Sequence, residues 1–276
     1  MLEFLKGILL ISLMTSLCAK DTIIFAPLPM ENIKTVFTQF NPMITYLEKL
    51  LDKKIIIDYN QNYADILEKF KQKKVDIAYL GPLPYIELKD KYPTALPLVH
   101  FKNNNGNAFY KCSIITFATN NTKLENIKNK KIALTQPLST CGYLSVNALL
   151  EKSNNSLNNN KYSYLGKHDT VALSVVRGEF DFGGVKSSIA KKYSNLGLKE
   201  LTKTGFLPGF ALIGNQETLS LKTLQKIQTV MKNVKKEDSQ NWGKNISYGC
   251  SEAKDSDYNT LRKAKKIITI PTQSNF

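Results

Sequence analysis

Lys54–Tyr59 (KIIIDY), Tyr63–Lys71 (YADILEKFK) and Val75–Leu80 (VDIAYL) follow one another directly, and their reading decides the fold. The outer two are short β-branched apolar runs, the second stopped by Gly81-Pro82, and the middle one reads as a helix. Upstream, Glu31–Leu51 places Ile33, Val36, Phe37, Phe40, Ile44, Leu47 and Leu51 at broadly helical spacing. Before it, Thr22–Ala26 (TIIFA) ends at Pro27 as a further strand. Strand, helix, strand, helix, strand predicts a mostly parallel sheet with crossover helices.

The pattern repeats downstream. Lys111–Thr119 and Lys131–Leu134 read as strands, Cys141–Lys152 and Asp169–Arg177 as helices, and Asp181–Val185 as a short strand. Phe206–Gly214 is a further strand, Ser220–Lys235 a long helix, and Cys250–Ala264 a polar loop with a last helix. No flexible linker separates the two units. Two α/β lobes joined without a linker must exchange strands, and the cleft this leaves is where a ligand sits.

The amino terminus has Lys6, an apolar run over Gly7–Leu17 and a small residue, Ala19, before Lys20-Asp21. This is the pattern of a secretory signal peptide cleaved after Ala19. Leu17 disfavours lipidation at Cys18. Export leaves Cys112, Cys141 and Cys250, an odd count that allows one bridge plus a free thiol, or no bridge. No CxxC spacing points to zinc. The net charge of +15 favours anionic partners. The lysines are scattered rather than clustered with aromatics, which together with export argues against nucleic acid.

The densest signal is Gln136-Pro137-Leu138-Ser139-Thr140-Cys141-Gly142-Tyr143-Leu144. A strand runs into a turn fixed by Pro137, with small hydroxyl residues at the start of a helix. Helix N-termini carry unpaired N–H groups and the positive end of the dipole, so such a segment suits a phosphate-like group. By itself it reads first as an ordinary helix cap.

The segment resembles the D-P-x-S-T-S-G-Y/F-L cradle of the PhnD-type family of periplasmic phosphonate-binding proteins. Further motifs follow in that family's order: Asn62-Tyr63, Val75–Tyr85 (VDIAYLGPLPY), Tyr110-Lys111-Cys112, Gly166–Asp169 (GKHD), Val176–Asp181, Leu207-Pro208-Gly209 and Asp255–Tyr258. The resemblance implies a two-lobed type II periplasmic-binding-protein fold, with 20–109 plus 210–276 as the first lobe and 110–209 as the second. It implies that Ser139, Thr140 and the Cys141 amide hold anion oxygens, with His168 (beside Asp169) donating from the second lobe. Tyr63 and Tyr110 supply hydroxyls, and Tyr85 is a secondary candidate.

Two departures bear on the ligand. Amine-binding members place an acid after the Pro-Gly of the return strand, where this chain has Phe210, and another after the V-D strand, where Gly183–Ser188 has none. A buried ammonium without a carboxylate is costly, which disfavours an aminoalkylphosphonate. Phosphite, methylphosphonate or phosphate fits better. Lys186 in that stretch reads by default as a surface lysine. Cys112 and Cys141 replace serines as size-matched swaps, as a disulfide involving Cys250, or as soft ligands for a thiophile such as arsenite. The expected role is ligand capture by a monomer for an ABC-transporter permease. A sensor component serving a membrane kinase, and an enzyme on the same fold, are the alternatives. No catalytic cluster, metal set or cofactor motif favours the enzyme.

Overall fold

The computed structural model describes residues 21–276; the expected signal peptide and the expected cleavage after Ala19 fall outside them. The first sheet contains β1 (Thr22–Pro27), β2 (Lys54–Ile57), β3 (Ile77–Leu80) and β4 (Ala95–Phe101). The chain then passes through β5 (Phe109–Tyr110) into β6 (Cys112–Phe117), β7 (Lys131–Leu134), β8 (Lys161–Tyr164), β9 (Phe182–Lys186) and β10 (Leu198–Lys203) of the second sheet. It returns through β11 (Leu207–Pro208) to β12 (Ala211–Asn215) and β13 (Cys250–Glu252). The helices are α1 (Ile33–Leu51), α2 (Tyr63–Lys71), α3 (Pro82–Lys91), α4 (Tyr143–Glu151), α5 (His168–Val176), α6 (Ser187–Lys192), α7 (Leu221–Lys232), α8 (Lys236–Ser239) and α9 (Asn259–Ile267).

The first sheet has the order β13-β4-β12-β3-β1-β2, and the second β10-β6-β9-β7-β8. The β1, β2 and β3 pairings are parallel, as are β7 with β8 and β9. β12 runs antiparallel between β3 and β4, and β6 antiparallel between β9 and β10. Each sheet therefore receives one antiparallel strand immediately after a crossing. The crossings are held together by the β5–β11 ribbon, Tyr110 opposite Leu207 and Phe109 opposite Pro208. The expected strand Phe206–Gly214 is split here. At the break Gly209 N donates to Ala108 O on the other crossing at 2.8 Å, and the approach is close enough that a Cβ there would lie 2.8 Å from the same oxygen.

Local chemistry accounts for the long elements. Asn32 caps α1, its Oδ1 accepting from Thr35 N at 2.9 Å. That helix buries Val36, Phe40, Met43, Ile44, Leu47 and Leu51 against the first sheet. The second sheet is covered on both faces. Leu134, Val146, Leu150 and Phe182 pack in one cluster, and Ile115, Val171, Val175 and Val185 in the other. Leu144 of α4 joins the first lobe's cluster, so apolar contact crosses between the lobes.

The end of the chain departs from the expected lobe assignment. Residues 271–276 lie along β8 at the edge of the second sheet, although the sequence placed them with the first lobe. Asn275 N donates to Tyr162 O at 3.1 Å, Tyr164 N to Ser274 Oγ at 2.9 Å, and Tyr164 Oη to Pro271 O at 2.7 Å. An open strand edge invites pairing with another chain, and the tail covers this one. Removing residues 271–276 is expected to cost about 1–3 kcal/mol and to increase self-association. Thermal melts and light scattering of the truncated chain check this; an unchanged melt and a monomeric profile would show the tail to be dispensable.

Candidate functional site

β7 runs into the segment 135–142 between the lobes. Ser139 N donates to Gln136 O at 2.9 Å and Gly142 N to Ser139 O at 3.0 Å, so this segment is a pair of turns. Helix α4 starts at Tyr143 rather than at Cys141, which leaves the hydroxyl residues in the turn ahead of it. Gly142 is needed for space. A Cβ there would lie 2.9 Å from Gln136 O and 3.2 Å from Ser139 O. Gly184 of β9 serves the same end from below, where a Cβ would meet Cys141 O at 2.7 Å.

The turn docks onto helix starts of the other lobe. Gln136 Oε1 accepts from Tyr63 N, the first residue of α2, at 2.9 Å. Thr140 Oγ1 accepts from Leu83 N, in the first turn of α3, at 3.0 Å. Gly81 precedes α3 without a side-chain cap, so the capping group comes from the opposite lobe. The Tyr63 phenol lies against the Ser139 hydroxyl, and the Tyr110 phenol against that of Thr140. Burial pushes both phenols well above the usual tyrosine range, so they are neutral donors.

Tyr63, Tyr110, Ser139, Thr140, Cys141 and His168 surround one cavity, closed on its apolar side by Leu28, Pro84 and Phe210. About 10 Å³ of it is accessible to a water-sized group. The starts of α2, α3 and α5 meet it, together with the turn ahead of α4. Three helix N-termini with hydroxyl donors are an arrangement suited to an anion, and no acidic residue lines the cavity among the described residues. Phe210 is stacked on Tyr79 with ring centroids 5.3 Å apart and brings no acid to the cavity wall.

His168 opens α5 and is buried. Its Nδ1 accepts from Lys186 N at 3.2 Å, so the neutral ring carries its proton on Nε2. Burial, followed by the charge of Lys186, pulls its pKa down to about 4 against a smaller opposing effect of Asp169. His168 is thus a neutral donor at physiological pH. Between about pH 6.5 and 4 the unfolded chain binds a proton that the folded chain refuses. Stability therefore falls as the pH drops through that window, by up to about 3 kcal/mol. Melting curves of ligand-free wild type and His168→Gln over this range check it; parallel pH profiles would show that His168 is not the cause.

Several expectations are corrected. Tyr85 does not line the cavity: its Oη donates to Asp255 Oδ1 at 2.7 Å and its ring packs on Tyr258. Asp169 faces outward and pairs with Lys192 Nζ at 3.1 Å. Cys112 and Cys141 are bridged to each other, with Cα atoms 5.1 Å apart, and Cys250 is the free, buried thiol in the first sheet. Burial pushes the Cys250 thiol up to about 12, and with the other two sulfurs joined no thiolate set faces the cleft. The soft-ligand reading therefore loses its donors. Lys186, read as a surface residue, is half-buried and lines the cavity. Gln136 was quoted only as part of the motif; its amide at the interlobe contact is visible only in three dimensions.

A wider opening of about 620 Å³ adjoins the cavity and shares Tyr110, Lys186 and Phe210 with it. Lys102, Lys111, Lys191, Lys203 and Lys244 line its walls, and no acid does. This is a positively charged approach to the cavity.

The model of the family described as "ABC transporter, phosphonate, periplasmic substrate-binding protein" matches residues 25–258. The phosphate-import protein PhnD of Mycolicibacterium smegmatis is 27% identical over 228 residues, 76% of this chain and 71% of that protein. The phosphonates-binding periplasmic protein of Escherichia coli is 24% identical over 225 residues, 77% of this chain and 66% of that protein. Among solved structures, PhnD1 of Prochlorococcus marinus in complex with methylphosphonate superposes with a TM-score of 0.79. It shares 15% identity and covers 90% of this chain and 98% of its own. A binding component of an ABC phosphonate transporter from Pseudomonas aeruginosa gives a TM-score of 0.78 at 18% identity, over 90% of this chain and 86% of its own. These two likenesses speak for the fold.

Proposed function

This chain belongs to the family of periplasmic substrate-binding proteins of phosphonate ABC transporters, and from that premise we propose that it captures a small phosphorus oxyanion without an amine. Methylphosphonate, phosphite and phosphate are the candidates. The observation that carries this is the acid-free cavity where three helix N-termini and the hydroxyl-bearing turn ahead of α4 converge. Ser139, Thr140, the Cys141 amide, Tyr63, Tyr110 and the Nε2 proton of His168 supply the donors. Residues 20–109 with 210–270 act as one lobe and 110–209 as the other, closing about the β5–β11 ribbon.

Proteins of this family hand their ligand to a membrane permease, and we place this chain in the periplasm, as a monomer, in that role. It binds and releases without turnover. Capture follows from closure: as the lobes meet, Gln136 and Thr140 satisfy amides on the opposite lobe while the anion is enclosed. The relatives that carry the words phosphate and methylphosphonate are consistent with a ligand lacking an ammonium group.

A thermal-shift screen tests the reading, because a ligand that binds only the folded state raises its melting temperature. Phosphite, methylphosphonate, phosphate, sulfate, arsenite and 2-aminoethylphosphonate form the panel. At least one of the first three is expected to shift the melt by several degrees, and 2-aminoethylphosphonate to have no effect. A dominant shift with 2-aminoethylphosphonate would refute the role given to Phe210.

A further inference from the structure

One full positive charge stands among the neutral donors of the cavity. Lys186 ends β9, and its Nζ lies 4.9 Å from the centre of the Phe210 ring and 5.5 Å from that of Tyr110. Among the described residues no carboxylate lies within 4 Å of it. The acid whose charge reaches it is Glu31, which accepts a hydrogen bond from Gln39 Nε2 and approaches Lys192 Nζ at 3.9 Å. Two other partly buried lysines, Lys69 and Lys265, are paired with acids. Lys69 meets Asp58 at 2.7 Å, and Lys265 meets Glu87 at 3.0 Å and Asp90 at 3.1 Å. Lys186 has only two ring faces, which recover part of the hydration an ammonium loses on burial. Its own backbone N–H fixes the His168 tautomer, so strand and site are coupled.

Such a charge is held at a cost in the free protein and is repaid by an anion. Helix N-termini and hydroxyls supply partial charges that suit the first negative charge of an oxyanion. A second negative charge in an enclosed site needs a full cation, and Lys186 is the lysine lining the cavity. We propose that Lys186 is the counter-charge for the second negative charge of the ligand, so that the site takes its tetrahedral oxyanion as a dianion and rejects a monoanion of the same shape. The inference rests on the oxyanion reading above. It adds a charge rule to it: Phe210 excludes an ammonium, and Lys186 selects the doubly charged anion. Lys186 also stands where the basic opening narrows to the cavity, so an entering anion meets it before the cradle.

The test compares methylphosphonate with methanesulfonate, which share a shape and differ by one charge when the phosphonate is fully ionised. Calorimetric titrations at neutral to mildly alkaline pH are run on wild type, Lys186→Met and Lys186→Gln, with melting curves to confirm folding. Wild type is expected to prefer methylphosphonate by about 100-fold. Both variants should lose about 30-fold or more in methylphosphonate affinity while methanesulfonate changes by less than about threefold, the size expected when one partner of a buried charge pair is removed. The ligand-free variants should melt at or above the wild-type temperature, because burying the ammonium has lowered its pKa to about 8. Equal losses for both ligands, or an unchanged methylphosphonate affinity, would overturn the charge rule and leave the oxyanion reading standing. Failure of wild type to bind methylphosphonate, phosphite or phosphate would overturn both.

Discussion

Thr140→Ala is expected to weaken binding of phosphite or methylphosphonate by about 100-fold while the ligand-free protein stays folded. Hydrogen bonds to charged groups are worth about 1.5–3 kcal/mol each, and 100-fold corresponds to about 2.7 kcal/mol. Thr140 has two tasks that the change removes together. Its hydroxyl meets the Tyr110 phenol at the cavity wall, and it accepts from Leu83 N at 3.0 Å across the cleft. In the open form Leu83 N has water; on closure around alanine it has nothing. Loss should thus fall on closure as well as on contact with the anion. Thr140→Ser keeps the hydroxyl and should recover affinity to within a few-fold. If Thr140→Ala titrates like wild type, the anion is held elsewhere.

The second large effect concerns stability. Cys112 at the start of β6 and Cys141 in the turn are 29 residues apart in sequence, and a bridge over such a loop is worth roughly 3.5 kcal/mol. Reduction, or the paired change Cys112→Ser with Cys141→Ser, should lower the melting temperature by about 10 °C. The bridge ties the turn to the strand that follows the first crossing, so the reduced protein should also bind its anion more weakly. Thiol titration of the exported chain should find no reactive group in the native protein and one, the buried Cys250, after denaturation. Three titratable thiols and melts indifferent to reductant would remove the bridge from the account.

Much of the architecture was legible because β-branched runs alternate with helical spacing. Thr22–Pro27, Lys54–Ile57 and Ile77–Leu80 form the parallel core of the first sheet as their sequences imply. Helix α3 was hidden because Gly81-Pro82 reads as a breaker, with Pro84 close behind it. In the structure both prolines fall in the first turn of that helix, where no intrahelical N–H bond is lost. The strands β4, β8, β10 and β13 went unread; Leu198–Lys203, for example, carries charge on an exposed edge and lacks an apolar run.

The site was legible in part, for a related reason. Ser139, Thr140 and His168 sit in segments with local signatures, and local signatures survive in sequence. What Tyr85, Asp169 and Lys186 face depends on residues far away in the chain: Asp255 for Tyr85, Lys192 for Asp169, and the rings of Tyr110 and Phe210 for Lys186. Lys186 was the costliest misreading, since a lysine is ordinarily a surface residue. The pairing of Cys112 with Cys141 was equally beyond reach, because three cysteines permit any pair.

The central claim is that an anion without an amine occupies the cleft, and side-by-side calorimetry measures it most directly. Protein unfolded, dialysed and refolded to remove any carried ligand is titrated with phosphite, methylphosphonate, phosphate and 2-aminoethylphosphonate. The account predicts one-to-one binding of at least one of the first three and no measurable heat with 2-aminoethylphosphonate. Tight binding of 2-aminoethylphosphonate, with the amine-free anions weak or silent, would contradict it.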